Sequence, residues 1–305
     1  MDVDISNSGS MKRVADRLLF EAVMAWRVTV GDWPTTVIPY LCIGGSAFLV
    51  GMFPLRELPI LLLKMLVYGF LYVYAFTTVN QLICVEEDRA NKPHRPLAMG
   101  LVTRQWMARR AAATHVLFVA AGFLFGAPWP TLTWLAMIHL HNFRGIYLHW
   151  FFKNVIFITV GAAVEITATW EIISPHVALP WVWISVNSLL VGIGCNNQDI
   201  RDVAGDRLAG RRTMPIIWGE KKARIFIAAF LLAVPLIQYV AQPWPCPGVY
   251  LKATLGIPGA VIWVSATRYL IFQNPRSDHW SYQIYCFWWC STLLLQPIAI
   301  SGRFS

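Results

Sequence analysis

Two stretches of this 305-residue chain hold acids and amides at spacings that could bind cations. The first runs Asn80-Gln81-Leu82-Ile83-Cys84-Val85-Glu86-Glu87-Asp88-Arg89-Ala90-Asn91-Lys92-Pro93-His94-Arg95-Pro96. A helix turns about 100° per residue, which puts Asn80, Cys84, Glu87 and Asp88 on one face and aims Glu86 elsewhere. The second opens Asn197-Gln198-Asp199-Ile200-Arg201-Asp202 and continues through Gly205, Asp206, Arg211, Arg212 and Thr213. Helical spacing again gathers Asp199, Asp202 and Asp206 on one stripe. Carboxylates crowded this closely repel each other unless cations sit between their oxygens. Hard oxygen donors in two clusters suit Mg²⁺, which takes one or two carboxylates and fills its shell with water and phosphate oxygens. The candidate metal ligands and catalytic residues are therefore Asn80, Glu87, Asp88, Asp199, Asp202 and Asp206. Lys92, Arg95, Arg201, Arg211 and Arg212, with Asn197, flank them as candidate binders of phosphate oxygens, the arginines as two-pronged forks. A competing reading has the acids merely pairing with nearby Arg in solvated loops, which suits one such motif better than two matched ones.

The elements that hold these motifs lie in lipid. Apolar residues make up 57% of the chain and charged residues 13%, whereas a soluble domain carries about 25% charged residues. The 15 Trp suit membrane interfaces or an aromatic cavity. Reading for about 20 mostly apolar residues per span gives segments at 35–53, 59–83, 105–126, 129–143, 146–171, 180–195, 221–241, 249–272 and 281–299. The expected fold is thus an all-α membrane bundle of about nine transmembrane helices. Ala127-Pro128-Trp129-Pro130, Ser174-Pro175-His176 and Pro243-Trp244-Pro245-Cys246-Pro247 mark its outer turns.

Of the 25 Lys and Arg, all but Arg56, Lys64, Lys252 and Arg303 fall on one side of that alternation. The basic side should face the cytosol, with the N-terminus and both motif loops on it and the C-terminus opposite. The net charge of +9 is therefore loop charge that sets orientation, and nucleic acid is not an expected partner. The six Cys include no CxxC pair and imply no disulfide framework. Residues 1–30 lack an apolar h-region, so they read as a cytosolic segment without a cleaved signal. Residues 31–305 read as one transmembrane domain. Asn80-Gln81 and Asn197-Gln198 open similar acid-then-basic loops, which points to two pseudo-repeated halves, 35–145 and 146–299.

Both motifs resemble those of the UbiA superfamily of intramembrane prenyltransferases, N-x-x-x-D-x-x-x-D and D-x-x-x-D-x-x-x-D. Asn80 and Asp88 match the ends of the first, and Asn91-Lys92-Pro93 with Pro96 resembles its tail. Asp202, Asp206, Gly205 and Thr213 fit the second, while Asp199 stands one residue off the family spacing. Lys153 resembles the family's cytosol-proximal cation for diphosphate. The resemblance implies a central cavity, two or more Mg²⁺ ions and an isoprenyl diphosphate substrate. One departure is informative: Cys84 replaces the middle Asp of the first motif, and the acid has moved to Glu87. That form is similar to the fungal UbiA-type terpene cyclases and unlike the acceptor-prenylating branch.

The function implied is a Mg²⁺-dependent class I cyclase that ionises farnesyl or geranylgeranyl diphosphate and closes it to a terpene hydrocarbon, releasing diphosphate. The alternative is a prenyltransferase acting on an aromatic or quinone-precursor acceptor. A transporter fits less well, since its site would lie near the bilayer midplane. The endoplasmic reticulum membrane is the expected location, and no residue pattern points to an oligomeric state. Aromatic faces stabilise a carbocation, and Tyr72, Phe76, Trp150, Phe157, Trp183, Trp263, Trp288 and Trp289 lie within spans that could supply them. Glu165 is an intramembrane acid that could line the cavity, and Glu171 belongs nearer the outer interface. Asn142 and Asn154 are polar groups for the cavity or for helix packing. His139 and His141 are two apart, so helical geometry separates them and speaks against a zinc site.

Overall fold

The computed structural model describes residues 5–241 and 247–302, the side chains of 5–12 and 247 excepted. In chain order the helices are α1 (Ile5–Thr29), α2 (Val37–Gly51), α3 (Leu58–Ile83), α4 (Val85–Asn91), α5 (Arg104–Phe125), α6 (Pro128–Phe143) and α7 (Phe157–Ile173). They continue as α8 (Trp181–Gly194), α9 (Val203–Leu208), α10 (Met214–Trp218), α11 (Glu220–Val240), α12 (Pro247–Leu255), α13 (Ile257–Ile271) and α14 (Pro275–Ser301). The described residues form no β-strand, and the only bridge joins His149 to Arg212.

Sequence chemistry explains the boundaries. Thr103 caps α5 by accepting a hydrogen bond from the Trp106 N–H at 3.1 Å, and Gly126, at φ +88°, ends that helix just before Pro128 opens α6. Asn274 accepts from the Ser277 N–H at 2.9 Å, with Pro275 in the first turn of α14. Most of the Pro243–Pro247 turn lies outside the described residues.

Each of the nine apolar segments is helical, the eighth being divided at Gly256 into α12 and α13. Among the described residues, six helical stretches are long and apolar enough to cross a membrane unaided, and a seventh qualifies if α1 and α2 are joined across their 56° bend. α6, at 16 residues, and α8, at 14, are too short by that test, since about 20 residues are needed for the hydrocarbon thickness. Length and composition alone thus support six or seven crossings among the described residues, and they do not establish the expected count of nine. The chain is an integral, multi-pass membrane protein.

α7 and α14 bury 61% of their spans against 28% for α5, so they form the inner wall and α5 the rim. The outer faces keep apolar side chains such as Leu117, Phe123 and Leu124 exposed, as a lipid-facing surface requires. Between helices, buried polar pairs do part of the joining: Trp183 Nε1 donates to Gln296 Oε1 at 2.9 Å, and Gln238 Nε2 to Asn187 Oδ1 at 2.6 Å. Tyr285 donates its hydroxyl to the Val191 carbonyl at 2.6 Å. Such bonds tie helices where lipid supplies no hydrophobic drive.

Candidate active site

Broken helices carry both motifs. α3 stops at Ile83, Cys84 leaves helical geometry at φ −100° and ψ 27°, and α4 restarts at Val85. The straight face expected from Asn80 to Asp88 is therefore bent, although Glu87 and Asp88 are buried and Asn80 is half-buried. Glu86 points to solvent and pairs with Arg89 at 2.7 Å. The second motif starts in a 3₁₀ turn, Cys195–Ile200, and ends in α9, with Asp202 at its N-cap position. Asp199, Asp202 and Asp206 do not share one α-helical stripe: 3₁₀ winding keeps residues three apart in line, but the chain leaves helical geometry at Asp202 before α9 carries Asp206. A third break, the π-helical turn Phe151–Ile156, opens α7 and carries Lys153 and Asn154. Turns of this width recur at functional sites.

The three breaks meet at one end of the bundle. α9 packs on α4 so closely that a Cβ on Gly205 would stand 2.1 Å from Asn91 Oδ1. Arg211 bridges the two motifs, with Nη1 2.5 Å from Glu87 Oε1 and 3.1 Å from Asp206 Oδ1. Lys153 Nζ lies 2.6 Å from Asp199 Oδ1, and Asn154 Nδ2 donates to Asp199 Oδ2 at 2.7 Å. Arg95 sits between two acids: Asp88 Oδ1 is 2.9 Å from Nη1, and Asp32 Oδ2 is 3.1 Å from Nη2. It also reaches Asn80 Oδ1 at 3.4 Å, while Asn80 donates to Asn142 Oδ1 at 3.3 Å. Arg201 pairs with Asp202 at 3.3 Å and stacks over the Tyr282 ring at 4.5 Å.

Burial sets the electrostatics. It raises Asp88 above the usual carboxylate range, against the pull of Arg95 and Lys92. It pushes Asp206 up to about 6, against Lys153 and Arg211. Burial opposes the charge on Arg211, but Glu87 and Asp206 outweigh it and hold its pKa above the ordinary value.

The donors present are carboxylate and carboxamide oxygens, the hard ligands that Mg²⁺ takes. Asp206 Oδ2 and Asn197 Oδ1 are buried with no hydrogen-bond partner, so oxygen lone pairs remain for an ion. Among the described residues no three acidic, His or Cys side chains converge closely enough to hold a metal by themselves. Arg and Lys stand between the acids instead. This donor set fits a hard divalent ion that completes its shell with water and phosphate oxygens.

A cavity of about 1160 Å³, its open mouth included, runs inward from this cluster. Asp32, Glu87, Lys92, Arg95, Lys153, Asp202 and Arg211 line its mouth, with Asn80 and Asn154 just inside. Lys92 makes no ion pair among the described residues. Of the other expected residues, Asp88, Asp199 and Asp206 sit behind the lining as partners of its cations. Asn197 is fully buried and Arg201 stands outside the lining. Arg212 is exposed and takes part through its backbone alone, donating to the Leu148 carbonyl at 2.6 Å and accepting from the Trp150 N–H at 3.1 Å.

Deeper in, the walls are aromatic. Tyr72 stacks on Trp134 at 4.4 Å, Trp134 on Phe157 at 4.9 Å, and Phe157 on His141 at 4.0 Å. Gly161 permits this, since a Cβ there would stand 2.9 Å from the Trp134 ring. Of the aromatics expected from sequence, Tyr72, Phe76, Phe157 and Trp289 line the cavity. Trp150 instead packs edge-on against Trp218, Trp183 and Trp288 are buried among helices, and Trp263 is 41% exposed on the outer surface. Glu165 and Asn154 line the cavity, whereas Glu171 and Asn142 do not. His139 bonds the Leu135 carbonyl at 2.8 Å on the outside of α6, while His141 turns into the cavity, as their spacing requires.

Sequence reasoning missed Asp32, Trp134, Tyr282 and Tyr285. Asp32 carried a signal, being a lone acid at the entry to the first span. The three aromatics carried none that separated them from lipid-facing neighbours.

The UbiA prenyltransferase family matches residues 33–291. Somaliensene A/B synthase of Streptomyces somaliensis is 31% identical over 90% of this chain and 91% of its own length. Two proteins of Hericium erinaceus are also similar. The diterpene cyclase eriG is 33% identical, covering 91% of this chain and 87% of itself, and the polyprenyl transferase eriF is 31% identical, covering 91% and 93%. Among solved structures, a UbiA homolog from Archaeoglobus fulgidus bound to DMAPP and Mg²⁺ superimposes with a TM-score of 0.66. It shares 13% identity and covers 92% of this chain and 99% of its own. With the match spanning both acidic motifs and the cavity between them, the chain belongs to the UbiA prenyltransferase family.

Proposed function

We propose that the chain is a membrane-embedded class I terpene cyclase, which ionises a linear isoprenyl diphosphate of farnesyl or geranylgeranyl length and releases a cyclic hydrocarbon and diphosphate. The observation that carries this reading is the position of Glu87. It is the acid of the first motif at the cavity mouth, joined through Arg211 to Asp206 of the second. Burial pushes the Cys84 thiol up to about 11, against the pull of Arg211, so it stays protonated and is a poor ligand for a hard ion. The shift of the acid from position 84 to 87 is the feature by which the sequence resembles the cyclase branch.

When bound, Mg²⁺ would be held by Asn80, Glu87, Asp88, Asp199, Asp202 and Asp206 and would neutralise charge on the leaving diphosphate. Lys92, Arg95, Lys153 and Arg211 hold diphosphate oxygens as the allylic C–O bond breaks, which favours the leaving group over the intact ester. Tyr72, Trp134, Phe157, Tyr285 and Trp289 line the cavity, where their rings stabilise the cation and exclude water. Each desolvated face contributes on the order of 1–2 kcal/mol. The chain's own alkenes then attack, and a proton is lost.

In this proposal the protein lies in the endoplasmic reticulum membrane, with its N-terminus and both motif loops cytosolic. Residues 31–305 form one domain of two related halves. The second reading is prenyl transfer to an aromatic or quinone-type acceptor, and the similarity to eriF favours it. Membranes incubated with each prenyl diphosphate and Mg²⁺, with and without such an acceptor, separate the two. A cyclase releases diphosphate equally in both mixtures, whereas a transferase does so only with acceptor.

A further inference from the structure

Glu165 is the one acid deep in the aromatic part of the cavity, and the chemistry at the mouth does not use it. It lies on α7, with 2% of its surface exposed, and it lines the cavity together with Gly161 and Ala162 of the same helix. Its backbone carbonyl accepts the Thr169 hydroxyl at 2.8 Å, as in many helices, and the Trp289 indole reaches its carboxyl group, but Oε1 of the side chain has no hydrogen-bond partner. No ion pair among the described residues reaches it. A buried polar atom left unpaired costs on the order of 1–3 kcal/mol, so leaving an apolar residue there would be the more stable choice. An acid retained within a span is a functional feature by default.

Its depth says which part of a substrate it meets. Lys153, a cation of the mouth, is twelve positions earlier on the same helical run, which sets Glu165 roughly 18 Å further in. The phosphate-binding side chains hold one end of a prenyl diphosphate, and the other end extends toward Glu165. The positive charge created at the mouth travels along the chain as successive alkenes attack, and it comes within reach of Oε1 late in that sequence. An oxygen that lacks a partner at rest gains one only when the cation forms, which is the condition for an interaction that favours the reaction over the bound substrate.

We propose that Glu165 is a specificity-determining residue, whose unpaired oxygen fixes where the travelling cation comes to rest and hence which cyclic product forms. The inference rests on the cyclase reading above. The oxygen serves as the negative end of a C=O dipole, so a carboxamide in the same position retains much of the effect and a hydrocarbon side chain none. Diphosphate release happens at the mouth and stays nearly independent of residue 165.

The test compares Glu165→Leu and Glu165→Gln with the wild type in membranes supplied with farnesyl or geranylgeranyl diphosphate and Mg²⁺. Both the hydrocarbon profile and the diphosphate released are measured. Leu removes an unpaired buried polar atom, so the variant is expected to remain folded, and the thermal unfolding of the purified protein checks this. The expected result is a changed profile in Glu165→Leu, with the wild-type major product falling at least about tenfold as a share. Diphosphate release stays within about tenfold of wild type, and Glu165→Gln restores most of the wild-type profile. An unchanged profile in Glu165→Leu overturns the proposal, as does an equal disturbance by Gln and Leu. Equal loss of diphosphate release in both folded variants would assign Glu165 to ionisation and also overturns it. If the wild type forms no cyclic product, the cyclase reading has failed and takes this inference with it. If the wild type cyclises and the variants match it, only the inference has failed.

Discussion

At the scale of single residues, the proposed activity depends on the side chains that sit between the two motifs. Glu87→Gln keeps the shape of the side chain but removes the charge that faces Arg211, so diphosphate release should fall by about 10²-fold or more. Prenyl diphosphate binding should weaken far less. Cys84→Ala should leave turnover within a few-fold of wild type, because the buried thiol offers nothing a hard ion needs. Asp206 makes a separate, thermodynamic prediction for the protein without metal or diphosphate. Burial holds its folded pKa at about 6, above the ordinary 3.8, so the folded state keeps this proton more tightly than the unfolded chain does. The resulting stability is complete below about pH 4 and disappears as pH rises through about 6, a change on the order of 2–3 kcal/mol. Thermal unfolding in chelator across that range should show the slope, and Asp206→Asn should flatten it. Residue types and spacing single out Glu87, Asp202 and Arg211 as candidates, and the fold brings all three to the lining of one cavity. Asp32 escaped because it belongs to neither motif and joins the site only when the fold brings it 3.1 Å from Arg95, 63 positions away.

At the scale of elements, the site is built from interruptions: the break at Cys84, the 3₁₀ turn Cys195–Ile200 and the π turn Phe151–Ile156. Apolar run length located α2, α3 and α5 to within a few residues, because burial in lipid imposes that length. The interruptions were illegible, since no Pro or Gly marks Cys84 and helical periodicity was simply carried through it. The contact of α4 with α9 depends on Gly205. Gly205→Ala forces a methyl group onto Asn91 and should push the two motifs apart, lowering turnover by about tenfold or more, the scale on which misplaced groups cost rate. Pairing it with Asn91→Ala opens the same space and should recover part of the loss. Full activity in Gly205→Ala alone would show that the spacing of the two short helices is not critical.

At the scale of the whole molecule, a lipid-facing shell surrounds an aromatic cavity that opens among charges at one end. Composition announced the shell, and the two motifs announced the mouth. The cavity wall was only half legible: Tyr72, Phe76, Phe157 and Trp289 face inward and Trp150, Trp183, Trp263 and Trp288 do not. Every face of a membrane helix is apolar, so hydrophobicity cannot separate lipid from cavity. The distribution of basic residues predicts an N-terminus and motif loops on the cytosolic side, which cysteine-accessibility labelling of the loop residues 93–94 in sealed vesicles would check. In the proposed reaction the cavity itself turns the ionised chain into a cyclic product with no second substrate. The most direct measurement supplies purified protein with a single prenyl diphosphate and Mg²⁺, then counts diphosphate released and cyclic hydrocarbon formed. The expected result is one cyclic hydrocarbon molecule per diphosphate released, silence in chelator and recovery when Mg²⁺ is restored. Diphosphate release that waits for an aromatic acceptor, with no cyclic hydrocarbon in its absence, would contradict it.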